Sequence, residues 1–297
     1  MKNDFLTMIE QADTIAITGH VRPDGDCVGS TVGLYNYIIS NYDKQVQIYL
    51  EKFSKDFLFL HDADKISHTP TDQVYDLCIA VDCGDKERQG DFLPIFERAK
   101  RTMCVDHHIS NPGFGEVCYV DEEACSAAEA LYKLMEQDKI NKNAAEALYM
   151  GIVHDTGVFK HSNTTKSAMS IAGDLIEKGA NPSFIIDETF YKKTFVANKL
   201  LGIALTKAEQ HADGRIISTV LETEDFRKSG AGKIDTDGIV DQLRITEGTE
   251  TAVFIYQTGE DEYKISLRSN NIVDVSRISC NHGGGGHVRA AGFSMKG

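Results

Sequence analysis

Short apolar runs alternate with longer stretches of helical periodicity through the N-terminal part of the chain. The runs are rich in β-branched and other apolar side chains, which is typical of buried strands. They lie at residues 14–18, 46–50, 76–81 and 102–105, and a further edge strand is predicted at 116–120. Helices are predicted at residues 28–39, 52–60, 126–136, 143–154 and 166–178. This alternation predicts an α/β domain with a mostly parallel sheet and helices on both faces.

The pattern changes near residues 179–182. A helical segment at 195–210 leads away from the first domain. It is followed by strands at 215–221, 251–255 and 263–267, with one helix at 235–243. These elements predict a smaller α+β domain, which begins near residue 214 and is joined to the first domain by a helical linker. The linker is expected to let the two domains close over a cleft, where ligands commonly bind.

The chain has 297 residues, with 31 basic and 45 acidic side chains and a net charge of −14. This balance argues against a general cationic surface for long duplex nucleic acid, although metal ions and a few local cations could still neutralise a small anionic substrate. The seven cysteines include no CxxC pair, so we expect buried reduced thiols rather than a disulfide framework. The sequence has neither the apolar core of a secretory signal nor a stretch long enough to span a bilayer. It therefore predicts a cytoplasmic protein without a membrane partner.

Acidic and imidazole side chains follow several of the predicted elements. They are His20, Asp24 and Asp26 in one loop, Asp82, the triplet Asp106, His107 and His108, and Asp155 at the end of a helical pattern. Parallel strands can present such groups side by side at one sheet edge, so we expect one site. A lone Asp after a strand is more often a turn residue or a helix cap, but this collection predicts a binuclear metal site. Oxygen-rich ligands with imidazoles suit Mn²⁺, and Mg²⁺ less well, while the absence of cysteine ligands argues against structural zinc.

Local geometry leaves some roles open around the first loop. Asp24 and Asp26 are two residues apart, so they either point into one cavity or address two neighbouring ions. Gly25 is expected to permit a positive φ in this loop. Gly29 and Gly33 are expected to let the following helix approach the sheet closely.

The adjacent imidazoles of His107 and His108 point in different directions, so they are expected to have different functions. One ring would bind metal while the other faces substrate. Asp106 is expected to hold a histidine ring in the required tautomer, which is the usual task of a carboxylate beside a metal ligand.

Motifs that span nearly the whole chain carry a family resemblance. They are GHVRPDGD (19–26), VDCGD (81–85), VDHH (105–108), GIVHDTGVFKHSNTT (151–165), SLRSN (266–270), VDVSRI (273–278) and GGGGHVRAAG (283–292). In this order they resemble the DHH phosphoesterase family, named for the triplet at 106–108, with its DHH-associated C-terminal domain. The resemblance implies a catalytic domain at 1–182, a helical linker at 183–213 and a substrate-binding domain at 214–297.

The resemblance also implies roles for individual residues. One Mn²⁺ would be held by His20, Asp24 and Asp82, and a second by Asp26, Asp82, His107 and Asp155. The implied catalytic residues are Asp82, which bridges the two ions, His108, which faces the scissile phosphate, and Asp106. The implied substrate-binding residues are Arg268, Ser269, Gly285, Gly286, His287 and Arg289. The glycine run at 283–286 is expected to expose backbone N–H groups to a phosphate, as an anion nest does.

Two features depart from the family pattern. The chain stops at Gly297, soon after AAGFSMKG, where relatives usually continue into a further helix. The C-terminal core is therefore expected to be partly open or covered by a partner chain, and apolar helix surfaces in the first domain are compatible with a homodimer. His282 stands before the glycine run, where the family often has an apolar aromatic residue, so a polar side chain is expected near the substrate pocket.

The expected activity is hydrolysis of a phosphate ester by two-metal catalysis. The compact layout is similar to that of family members that act on very short RNA and also dephosphorylate 3′-phosphoadenosine 5′-phosphate (pAp). The net charge of −14 favours short single-stranded oligonucleotides or small nucleotides over long polymers. Soluble phosphodiesterases of cyclic di-AMP and pApA share the layout and form the alternative. A metal-dependent nucleotide sensor without catalysis is a further alternative.

Overall fold

A computed structural model describes residues 2–297, with side chains from Asp4 onward. It divides into two compact units, residues 1–192 and residues 193–297. The domain boundaries predicted from the sequence, at 182 and 214, stay predictions.

The first unit is built on a five-stranded sheet. Its strands are β1 (Thr14–Thr18), β2 (Gln45–Tyr49), β3 (Leu77–Val81), β4 (Arg101–Asp106) and β5 (Val117–Val120), in the spatial order β2-β1-β3-β4-β5. Every pairing between neighbours is parallel, so the carboxyl ends of the strands lie at the same edge. The predicted parallel sheet and its edge strand are therefore confirmed, and the ends of β1, β3 and β4 lie side by side.

Helices cover both faces of this sheet, as predicted. They are α1 (Lys2–Gln11), α2 (Gly25–Asn41), α3 (Leu93–Arg98), α4 (Ala127–Leu134), α5 (Lys142–Asp155), α6 (Lys166–Glu177) and α7 (Pro182–Ile186). Successive side chains of a strand point to opposite faces. Ile15 and Ile17 accordingly enter a large core shared with α1, α2, α4 and α5, whereas Ala16 enters a smaller core with Phe92 and Phe96.

The predicted helices differ from the observed ones at two places in this unit. Residues 52–60 are not a helix, because only the single 3₁₀ turn Lys55–Phe57 forms there. The hydroxyl of Ser54 accepts a hydrogen bond from the N–H of Asp56, and such local bonding competes with a helix in a segment rich in aromatic residues. Helix α1 was not predicted, although the buried Phe5 and Ile9 follow helical spacing.

Helices α2 and α5 approach each other closely through glycines. A Cβ atom on Gly29 would lie 2.5 Å from the carbonyl oxygen of Ala147 and 2.8 Å from the backbone nitrogen of Gly151. A Cβ on Gly33 would lie 2.8 Å from the Cγ of Leu148. The expectation that these glycines face the sheet is therefore wrong, because α5 packs against this side of α2.

The second unit is a mixed sheet with helices, and the α+β prediction is confirmed. Its strands are β6 (Glu209–His211), β7 (Ile216–Leu221), β8 (Thr251–Gly259), β9 (Glu262–Ser269), β10 (Gly285–His287) and β11 (Ala290–Lys296), in the order β10-β11-β9-β8-β7-β6. Strands β7 and β8 are parallel and the other pairs are antiparallel. Its helices are α8 (Phe195–Thr206), α9 (Thr223–Ser229), α10 (Ile239–Arg244) and α11 (Val275–Asn281).

All seven cysteines are free thiols in the structure. Most of the cysteines are buried, as expected, but Cys118 is only half-buried and Cys280 is exposed. Cys280 follows the buried Ser279 on α11 and therefore lies on the outer side of that helix. Between residues 2 and 297, no helix has the length and apolar character needed to cross a membrane.

The α2–α5 contact yields a stability prediction. Gly29→Ala is expected to lower the free energy of unfolding by about 2 kcal/mol, because the added methyl group has to displace α5. Gly173→Ala is the matched control, because a Cβ at this position of α6 meets no atom within 4 Å. The control is expected to raise stability by about 0.5–1 kcal/mol. Urea unfolding followed by circular dichroism measures both changes, and equal effects would contradict the tight helix contact.

Candidate functional site

The ends of β1, β3 and β4 bring two imidazoles to one buried carboxylate. His20 follows β1, Asp82 follows β3 and His107 follows β4. The Nε2 atom of His20 lies 3.4 Å from Oδ2 of Asp82, and Nε2 of His107 lies 3.6 Å from Oδ1 of Asp82. Since β3 lies between β1 and β4 in the sheet, Asp82 lies between the two rings.

Two helices add further carboxylates. Asp155 is the last residue of α5, and its Oδ2 lies 3.2 Å from Nε2 of His107. Asp26, in the first turn of α2, has Oδ2 at 4.0 Å from the same nitrogen. The structure thus brings together five of the six predicted metal ligands. We refer to His20, Asp26, Asp82, His107 and Asp155 as the carboxylate–imidazole cluster.

The sixth predicted ligand, Asp24, lies at the edge of this cluster and caps a helix. Its Oδ1 accepts hydrogen bonds from the backbone N–H groups of Asp26 and Cys27, which begins α2. The same oxygen lies 3.7 Å from Nε2 of His20, and the side chain is 60% exposed. Partial loss of hydration would by itself raise the pKa of Asp24, but the nearby imidazole of His20 and the N–H of Cys27 lower it to about 2.

The carboxylate of Asp26 is held by the N-terminus of α4. Its Oδ2 accepts a hydrogen bond of 2.6 Å from the N–H of Ala127, and its Oδ1 accepts one of 3.1 Å from Ala128. The first N–H groups of a helix have no partner within the helix and favour negative charge. A Cβ on Gly151 would lie 2.5 Å from Oδ1 of Asp26, so a glycine is needed where α5 passes the carboxylate.

Asp82 is the most constrained residue of the cluster. Its backbone adopts a φ of 59°, which is uncommon for a residue with a side chain and is often found at functional sites. Its Oδ1 atom is buried and has no hydrogen-bond partner within residues 2–297. The nearest imidazole nitrogens, on His107 and His108, are 3.6 and 3.7 Å away.

These spacings fit divalent cations. Neighbouring ligand atoms of one octahedral cation lie roughly 3 Å apart, near the upper end of the usual range for hydrogen bonds. The nitrogen–oxygen separations in the carboxylate–imidazole cluster run from 3.2 to 4.0 Å. A buried, unpartnered carboxylate oxygen together with imidazoles is a donor set for hard or borderline metals such as Mn²⁺.

The crowding of acidic groups shifts their protonation. Burial and the nearby charge of Asp82 raise the pKa of Asp155 to about 7, and the same causes raise the pKa of Asp26 well above its ordinary value. Burial alone would lower the pKa of His107, but the nearby carboxylates of Asp82 and Asp26 raise it to about 10. Carboxylates this close together need bound protons or cations as compensation.

His108 is oriented by a second carboxylate. Its Nδ1 donates a 2.7 Å hydrogen bond to Oδ1 of the fully buried Asp106. The other oxygen of Asp106 accepts a 2.7 Å bond from Nδ2 of Asn111, which also donates to the carbonyl oxygen of Cys83. The hydrogen bond to Asp106 is the main reason that the pKa of His108 is raised. The role of Asn111 was not predicted, because a single loop asparagine carries no distinguishing sequence pattern.

A buried thiol, which was not predicted to lie at the site, is next to the cluster. Cys27 Sγ and donor atoms of His20 and Asp82 all lie within 4.8 Å of one another. Burial raises the pKa of Cys27 to about 11. The sequence predicts a buried thiol at this position but does not indicate its place beside the cluster.

His154 occupies the space beside the Gly25 backbone. A Cβ atom on Gly25 would overlap the His154 ring. The expected positive φ of Gly25 is wrong, because this residue is the first of α2 and glycine is needed here for space. The ring contacts Phe57 and Phe190 at centroid distances of 5.1 and 4.5 Å. Burial lowers the pKa of His154 to about 4, so its ring is neutral at pH 7.

In the second unit, internal hydrogen bonds engage the predicted substrate-binding side chains near the end of β9. Nε of Arg268 donates to Oδ1 of Asp241 at 3.2 Å. The hydroxyl of Ser269 donates to Oε1 of Glu250 at 2.9 Å and accepts from Nη1 of Arg289 at 3.2 Å. Ser269 is only 3% exposed, so its hydroxyl is part of the internal network rather than an open donor.

The glycine run forms part of a close hairpin. Strand β10 pairs with β11, and a Cβ on Gly286, whose φ is 141°, would lie 2.5 Å from the carbonyl oxygen of Ala290. The N–H groups of Gly283 and Gly284 donate to backbone carbonyls of α11. The expected anion nest is therefore wrong for these two glycines, because their N–H groups are already used.

The remaining predicted groups of this segment are exposed. Gly285 and His287 both lie on β10 with exposed surfaces. The ring of His282 stacks on Phe293 with centroids 4.7 Å apart. An imidazole therefore fills a stacking position that an aromatic ring could equally fill.

Two family models match the chain. The N-terminal domain of the DHH family matches residues 14–152, and the DHHA1 domain matches residues 197–297. The protein is a phosphoesterase, a hydrolase that acts on phosphate ester bonds. The chain therefore carries a DHH-family domain in its N-terminal part and a DHHA1 domain in its C-terminal part.

Curated relatives match along most of the chain. The bifunctional oligoribonuclease and PAP phosphatase NrnA of Bacillus subtilis is 28% identical over 300 residues, which cover 99% of this chain and 93% of that protein. The cyclic-di-AMP phosphodiesterase PdeA of Listeria monocytogenes is 27% identical over 310 residues, which cover 97% of this chain and 46% of that protein.

Solved structures share the fold. An exopolyphosphatase-related protein from Bacteroides fragilis matches with a TM-score of 0.85 and 24% identity, covering 100% of this chain and 91% of that chain. The exonuclease RecJ, in a structure bound to manganese, matches with a TM-score of 0.51 and 12% identity, covering 99% of this chain and 90% of that chain. At these identities the likeness shows the α/β fold of the first unit and the mixed-sheet fold of the second.

The contact between Asp106 and His108 yields a prediction for the metal-free protein. Asp106→Asn is expected to lower the pKa of His108, because a neutral amide replaces the carboxylate that favours the charged imidazole. NMR titration of the imidazole resonances measures the change. Glu123→Gln, an exposed carboxylate on a neighbouring loop, serves as the control and is expected to leave the titration unchanged. An identical His108 pKa in wild type and Asp106→Asn would contradict the assigned hydrogen bond.

Proposed function

We propose that this phosphoesterase hydrolyses short oligoribonucleotides, pAp or both, with Mn²⁺ as its metal. The observation that carries the metal dependence is the buried, unpartnered Oδ1 of Asp82 between the rings of His107 and His108. The substrate class is supported by the similarity to NrnA of Bacillus subtilis, which extends over 99% of the chain. The predicted cytoplasmic location and homodimer stay predictions.

The donor set supports a place for two cations. His20, Asp24 and Asp82 would hold one ion, and Asp26, Asp82, His107 and Asp155 would hold the other. When bound, such cations would lower the pKa of a water molecule and neutralise negative charge on phosphoryl oxygens. The hydrogen bonds that Asp24 and Asp26 accept from helix N-termini hold these two carboxylates in place without a cation.

His108 is proposed to act on the substrate itself. Asp106 engages its Nδ1, while Nε2 forms no hydrogen bond with any described residue, and 42% of the side chain is exposed. The raised pKa favours the protonated ring, which can donate to a phosphoryl oxygen or to the leaving oxygen. Asp106 would then be a positioning residue that keeps the ring in this orientation.

A small anionic substrate suits the distribution of charge. The chain has a net charge of −14, which repels long polyanions beyond the immediate site. Arg268, His287 and Arg289 supply local donors for the phosphates of a nucleotide or a short oligonucleotide. Each of these donors lies on β9, on β10 or next to β11 of the second unit.

A second candidate activity is hydrolysis of cyclic di-AMP or pApA. It is supported by the similarity to PdeA of Listeria monocytogenes, of which this chain spans 46%. The reacting phosphodiester is the same as in an oligonucleotide, so the two activities differ in how the remainder of the substrate is held. A non-catalytic nucleotide sensor stays the third alternative.

Loss of the Asp82 carboxylate is expected to weaken Mn²⁺ binding by more than about tenfold. Asp82→Asn replaces one carboxylate oxygen by an N–H donor, which cannot bind a cation. Isothermal titration calorimetry of the full chain, after removal of metal with a chelator, measures the affinity without relying on turnover. Asp91→Asn is the matched control, because Asp91 is an exposed carboxylate in the segment after β3. Equal affinities of the two variants would overturn the metal assignment.

A substrate panel tests the proposed activity. Phosphate or nucleotide release is measured with pAp, an RNA trimer, an RNA pentamer, pApA, cyclic di-AMP and pyrophosphate, each with Mn²⁺ and with Mg²⁺. We expect the highest kcat/KM for pAp or the trimer with Mn²⁺, and no turnover in the presence of a chelator. Asp82→Asn prepared in parallel controls for contaminating phosphatases.

The same panel separates the alternatives. Preference for cyclic di-AMP or pApA would select the second candidate activity. Tight nucleotide binding without turnover would select the sensor. Pyrophosphate as the best substrate by a wide margin would contradict the proposed substrate class.

A further inference from the structure

The carboxylate of Glu250 organises a loop of the second unit. Its Oε1 accepts hydrogen bonds from the hydroxyl of Ser269 at 2.9 Å, from the N–H of Ile272 at 2.7 Å and from the N–H of Val273 at 3.0 Å. The N–H of Asn271 lies 3.2 Å from both of its oxygens. We call residues 269–273, which connect β9 to α11, the 269–273 loop. One carboxylate therefore gathers four hydrogen-bond donors of this loop.

The guanidinium of Arg289 rests on the same loop. Its Nη1 donates to the hydroxyl of Ser269 at 3.2 Å and to the carbonyl oxygen of Val273 at 3.1 Å. Glu250 holds both of these residues through the bonds given above. The backbone is tied as well, because the N–H of Ser269 donates to the carbonyl oxygen of Arg289 at 3.0 Å. Arg289 is thus positioned by groups that depend on Glu250.

The outer side of Arg289 is open. Within residues 2–297 its Nε and Nη2 atoms form no hydrogen bond, and the side chain is exposed. Arginine binds phosphate through two parallel N–H donors in a fixed plane. A guanidinium whose inner nitrogen is fixed can present the outer pair to a phosphate with little loss of conformational freedom.

Glu250 is suited to this task because it stays charged. The N–H groups of Val273 and Ile272 lower its pKa to about 2, so it is ionised at neutral pH. A charged acceptor forms stronger hydrogen bonds than a neutral one.

The side chain of Asn270 attaches the 269–273 loop at a second place, since its Nδ2 donates to the carbonyl oxygens of Arg244 and Thr249.

We propose that Glu250 is a positioning residue for substrate phosphate: it gathers the 269–273 loop and thereby fixes Arg289 to bind a phosphate group of the nucleotide. This inference rests on the proposed function, since it names the way in which the DHHA1 unit holds that substrate. Glu250 itself does not contact the substrate. Its effect is on binding, and the bond-breaking step is left to the carboxylate–imidazole cluster.

The test compares Glu250→Gln with wild type in the Mn²⁺-loaded full chain, using the nucleotide substrate with the highest kcat/KM. Glutamine keeps the size but replaces one acceptor oxygen by a donor that faces backbone N–H groups. The KM is expected to rise about tenfold, as for the loss of a charged hydrogen bond, while kcat stays within about twofold. Glu247→Gln is the matched control, because Glu247 is exposed on the preceding turn and has no side-chain hydrogen bond in the part of the chain described. It is expected to keep both constants.

A double-mutant cycle shows whether Glu250 acts through Arg289. Arg289→Ala alone should raise KM, and adding Glu250→Gln to it should produce little further change. Ser269→Ala is a second, uncharged variant that removes one acceptor of Arg289, and it should raise KM in the same direction. If Glu250→Gln lowers the melting temperature below the assay temperature, the KM of Ser269→Ala is used as the test instead.

The outcomes separate this inference from the proposed function. If the wild-type protein turned over none of the nucleotides, both the proposed function and the positioning role of Glu250 would be contradicted. An active wild type whose KM is unchanged by Glu250→Gln and by Ser269→Ala would overturn the positioning role alone. Fully additive effects of Glu250→Gln and Arg289→Ala would also overturn it, because the two residues would then act independently.

Discussion

The structure of the first unit depends on compensating the crowded negative charge around Asp82. This carboxylate is 3% exposed, adopts a strained backbone conformation and leaves one oxygen without a partner. Its neighbours Asp26 and Asp155 are also carboxylates with raised pKa values. Such a group of acids is unfavourable unless protons, imidazoles or cations offset the charge. These acidic groups lie together at the edge of the sheet where the carboxyl ends of the parallel strands meet.

The scaffold holds the cluster through rigid elements rather than flexible side chains. The N-terminus of α4 donates two hydrogen bonds to Asp26, and Asp24 caps α2. The close contact of α2 and α5 at Gly29 and Gly151 brings the carboxylates of both helices toward the same strand ends. In the second unit, Glu250 plays a comparable part for the 269–273 loop. In both units, hydrogen bonds to carboxylates fix the positions of groups that are proposed to bind cations or substrate.

Much of this arrangement can be predicted from the sequence, and there are physical reasons why the remaining features cannot. The places of His20, Asp82 and His107 could be predicted, because each directly follows an apolar run and parallel strands end at one edge. The contact between Asp26 and α4 could not, since the donors are backbone N–H groups distant in sequence. A helix is wrongly predicted at residues 52–60 because the aromatic side chains there are spaced as they would be on one face of a helix. The glycines at 283–286 resemble an anion nest by composition, but hairpin pairing uses part of their N–H groups.

The central claim is that the carboxylate–imidazole cluster gathers a pair of Mn²⁺ ions. Anomalous diffraction at the manganese absorption edge, from crystals grown with Mn²⁺, tests it most directly. The account predicts two anomalous peaks that share Asp82, one beside His20 and the other beside His107 and Asp155. Crystals without an anomalous peak at Asp82, although manganese is present in the solution, would contradict it.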